Sequence, residues 1–90
     1  MSKTLSLKYL LLDIISKKNI SPNVKHEISY SLEVKISGSN YLTQCLVLGK
    51  NKEIIFPINK FSFYTKDQGS NNAYNENKKF GEEIINKIIE

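Results

Sequence analysis

The residues able to do chemistry are few. The chain has one histidine, His26, and one cysteine, Cys45. A thiolate–imidazole pair needs both groups within hydrogen-bond reach and a third group to orient the ring. The spacing of these two matches no recognised nucleophile signature. Cys45 sits inside the apolar run 45–48 rather than at a helix N-terminus, where thiolates are stabilised, and it reads as a small buried hydrophobe. His26 reads as a surface residue at the start of a strand. Glu82 and Glu83 are neighbours on a solvated helix face, so they cannot converge on one substrate atom.

Metal and phosphate chemistry are no better supplied. A zinc site needs three or four Cys, His or carboxylate ligands. The asparagine-rich stretch 71–76 lacks the leading Asp and the sixth-position Gly of a calcium loop. No glycine-rich phosphate loop is present. The expectation is a protein that is not an enzyme and holds no metal or cofactor.

Size and charge narrow the remaining classes. The chain has 90 residues and a net charge of +4, with every one of its 13 cations a lysine. That length implies one domain, residues 1–90, with one core and a few kcal/mol of net stability. Arginine, the usual bidentate reader of guanine and phosphate, is missing. Lysine, asparagine and isoleucine are what A/T-rich codons supply, so part of the basic charge is compositional. One cysteine allows no internal disulfide and suits a reducing compartment. No stretch approaches the ~18 apolar residues that span a bilayer. Asp13 interrupts the apolar stretch 9–15, which is read as mature structure and not as an export signal. A cytoplasmic protein with no membrane partner is expected.

Two binding chemistries are left. Residues 60–66, KFSFYTK, interleave lysines with aromatics. Exposed strand aromatics can stack bases, so a basic nucleic-acid-binding domain is the alternative reading. Phe61 and Phe63 alternate along a strand, however, and are assigned to the core. The preferred reading is a non-catalytic protein-binding factor of the inhibitor, immunity or anti-defence type. Its partner would be a protein with an acidic or apolar surface, a homodimer being one form of this. A sheet with one helix covers only one of its faces, yet apolar side chains are available for both: Tyr41, Cys45 and Val47 on one strand, Ile55 or Tyr64 on another. The candidate partner-binding residues are Tyr41, Lys60, Tyr64, Lys66 and Tyr74.

The elements that must position these residues follow from periodicity. In residues 26–37, Ile28, Tyr30, Leu32, Val34 and Ile36 recur at every second position, which predicts a half-buried strand. Residues 41–48 form the next strand, apolar on both faces and therefore central. Residues 53–66 form another, with Pro57 marking an edge or a bulge. Turns at 37–40 and 49–52 join the three as a meander. Residues 3–18 alternate as Leu5, Leu7, Tyr9, Leu11 and Ile15 and are expected to be the fourth strand. The competing helical stripe is Leu7, Leu10, Leu11, Ile14 and Ile15. Residues 17–25 read as a connection and 67–77 as a polar loop. From about residue 76 to 78 onward, Phe80, Ile84 and Ile88 recur at i+4 beside Ile85 and Ile89, predicting an amphipathic helix. The fold class is α+β: an antiparallel sheet of about four strands with the C-terminal helix packed on one face.

Overall fold

A computed structural model describes residues 3–37, 44–57 and 71–90. The order of elements is α1 (Lys3–Lys17), α2 (Pro22–Ser31), β1 (Glu33–Ser37), β2 (Gln44–Gly49), β3 (Lys52–Pro57) and α3 (Asn71–Ile89). The fold is α+β, with an antiparallel sheet in the order β1-β2-β3 and a long C-terminal helix.

The N-terminal expectation is corrected: residues 3–17 are helix α1, not a strand. The 3.6-residue stripe decides the matter. Leu7, Leu11, Ile14 and Ile15 are all buried, whereas Leu5 and Tyr9, inward-facing in the strand reading, are exposed. The sheet therefore has three strands among the described residues, not four.

The unbroken alternation over 26–37 is split between two elements. Ser21 is the N-cap of α2, its Oγ accepting from the Val24 amide at 3.2 Å, and Pro22 stands in the first turn. A serine cap followed by proline is a helix-start pattern, because proline's missing N–H is one the helix leaves unpaired anyway. Ile28 and Leu32 are four apart, so their spacing fits a helix as well as a strand; both are buried. Tyr30, between them, points to solvent with 86% of its surface exposed. Leu32 then takes extended backbone as the C-cap, and only Val34 and Ile36 belong to a strand.

β2 and β3 form a hairpin closed by Lys50 and Asn51, both at positive φ (51° and 63°). Two central residues in that region match the right-handed twist of the flanking strands. The turn is tied to α2: the Lys50 amide donates to Ser31 Oγ at 3.0 Å, and that hydroxyl lies 2.8 Å from the Glu27 carbonyl, to which it donates.

α3 begins at Asn71, earlier than the periodicity suggests, so residues 71–77 are helical and not loop. Its isoleucine stripe behaves as expected, with Ile84, Ile85 and Ile88 buried. Gly81 lies where α3 meets α1. A Cβ there would sit 2.5 Å from Ile14 Cδ1, so glycine is what lets the two helices approach. The other end of α3 is held by Lys52, whose ammonium donates to the carbonyl oxygens of Lys87, at 3.2 Å, and of Glu90. Lys25 does the same for α1, donating to the Ser16 carbonyl at 2.8 Å. Both contacts put a cation at the negative end of a helix dipole. One cluster holds the whole: Leu7, Leu11 and Ile15 from α1, Ile28 and Leu32, Val34, Cys45, Val47 and Phe56 from the sheet, and the α3 isoleucines.

Candidate interaction surfaces

The pleat assigns each strand residue to a face. Val34 and Ile36, Cys45 and Val47, and Ile54 and Phe56 are cross-strand partners on the side that faces the helices. Cys45 is fully buried, and burial pushes its thiol up to about 11, so the nucleophilic thiolate is suppressed at neutral pH. His26 is on the exposed side of α2, its ring 6.1 Å from that of Tyr30. Thus the two are held in different environments, Cys45 in the core and His26 in solvent. Among the described residues no group of three His, Cys, Asp or Glu side chains could hold a metal ion. No helix among them is long and apolar enough to cross a membrane.

The opposite face of the sheet is different in character. Register brings Lys35, Leu46 and Ile55 into one row across the three strands, and Glu33, Leu48 and Glu53 into the next. Leu46 and Leu48 are half-buried, while Ile55 exposes 60% of its surface. Glu33 and Lys35 pair at 3.8 Å on the rim. The result is an apolar strip edged by charge. The expectation that Cys45 and Val47 supply this strip is corrected: they point into the core, and Leu46 and Leu48 take the outer positions. Ile55 lies on the outer face as anticipated.

Among the described residues, two of the concavities flank the helical layer. The larger, about 480 Å³, lies where the end of α1 meets α3 and is lined by Asp13, Lys17, Lys18, Lys78 and Glu82. Lys17 is paired with Asp13 at 3.2 Å. The smaller, about 100 Å³, runs between β3 and α3, with Ile54, Pro57, Ile84, Glu83 and Lys87 among its walls.

Of the candidate partner-binding residues, Tyr41, Lys60, Tyr64 and Lys66 lie outside the described residues, as do Phe61 and Phe63. Tyr74 belongs to α3 rather than to a loop. Sequence reasoning missed Tyr30, which the strand pattern placed with the core. The Ser21-Pro22 helix start was the signal that would have turned it outward.

Comparison with protein families, with curated proteins and with solved structures returned no match.

Proposed function

We propose that this chain is a non-catalytic protein-binding factor of the inhibitor or immunity type, acting through the outer face of its sheet. The observation that carries the reading is the strip formed by Leu46, Leu48 and Ile55 on the side away from the helices. Apolar side chains grouped on one exposed face suit a partner better than water. Charged groups at the rim, Lys35, Glu33 and Glu53, supply orientation rather than affinity. The partner's chemistry follows: an apolar patch, with acidic groups favoured by the chain's net charge of +4. A buried, high-pKa thiol and a solvent-exposed imidazole support a role without catalysis.

The test is affinity capture from lysate of the source cells, with the wild-type chain and an Ile55→Glu variant run in parallel, each with and without nuclease. The expected result is a protein retained by the wild type, insensitive to nuclease and lost with the variant, whose thermal midpoint stays unchanged. Retention that nuclease abolishes would favour the nucleic-acid reading. A protein held equally by both chains would move the contact elsewhere.

A further inference from the structure

We draw no further inference here: the strongest candidate, the groove of about 480 Å³ where the end of α1 meets α3, is lined by surface lysines interspersed with the carboxylates of Asp13 and Glu82, and nothing in the structure shows which ligand it would hold.

Discussion

At the scale of single residues, Gly81 shows how a local penalty serves a tertiary contact. Glycine inside a helix costs about 1 kcal/mol relative to alanine. Propensity alone would make Gly81→Ala stabilising. The added methyl would instead meet Ile14 Cδ1 at 2.5 Å, with Leu11 Cδ2 at 3.5 Å. Overpacking costs typically ~1–3 kcal/mol. Gly81→Ala is therefore expected to lower stability by about 1 kcal/mol. Ile14→Val removes the clashing atom, and in that background the same change should become neutral or stabilising. Urea unfolding of the four chains reads the coupling directly, and additive effects would show that α1 and α3 do not meet at Gly81.

Cys45 gives a second residue-level prediction. Burial disfavours the thiolate and pushes the Cys45 pKa up from its ordinary value of 9.0 to about 11. Between these values the unfolded chain loses a proton that the native chain keeps. The thiol's contribution is thus fully present below about pH 9 and is lost as pH rises toward 11. The stability gap between wild type and Cys45→Ala should narrow across that interval. A disulfide-exchange reagent at pH 8 should modify the native thiol only as fast as the chain opens; rapid modification would contradict its burial.

At the scale of elements, the chain's patterns divide by how many periods they satisfy. The α3 stripe combines separations of four, as in Ile84–Ile88, with separations of three, as in Ile85–Ile88, and the odd separation is one no single strand face shares, so it was legible from sequence. The central β2 strand was legible too, because turn-forming residue types flank it in the sequence. Ile28 and Leu32 were misleading because a separation of four satisfies both periods, and residues 3–17 because Leu5, Leu7, Tyr9 and Leu11 alternate while also containing the helical stripe. The outer strip was half legible: Ile55 was placed on it, but which face of β2 turns outward depends on helices packing against Cys45 and Val47, which no local pattern encodes. Nothing in the spacing announced Lys52 as the α3 terminator either, since the two are distant in sequence. Two predictions belong here. Ile88→Asp should unfold the protein, as an unpaired carboxylate in the core outweighs a margin of a few kcal/mol. Lys52→Met should lower the thermal midpoint by a few degrees, about 0.5–1.5 kcal/mol, an effect weakened by salt. Circular dichroism melts distinguish the two, and an unchanged Ile88→Asp melt would mean that α3 is not docked.

At the scale of the whole molecule, the question is what the net charge of +4 is for. Several of the described lysines already have structural duties. Lys25 and Lys52 close helix ends, Lys17 pairs with Asp13, and Lys35 pairs with Glu33. Among the described residues, lysines also gather at the groove between α1 and α3, where Lys17, Lys18 and Lys78 are interspersed with Asp13 and Glu82. Carboxylates there oppose a phosphate backbone. At most about three phosphates could be neutralised at this groove, which for a single strand gives a log–log salt slope no steeper than about −2. We expect single-stranded nucleic acid to bind weakly, without sequence preference, and to be released at physiological salt. Fluorescence anisotropy with labelled oligonucleotides at low and physiological salt provides the measurement. Micromolar or tighter affinity at physiological salt, with a slope well beyond −2, would mean that cations elsewhere in the chain act together on a phosphate backbone. The protein-binding reading would then give way to a nucleic-acid one.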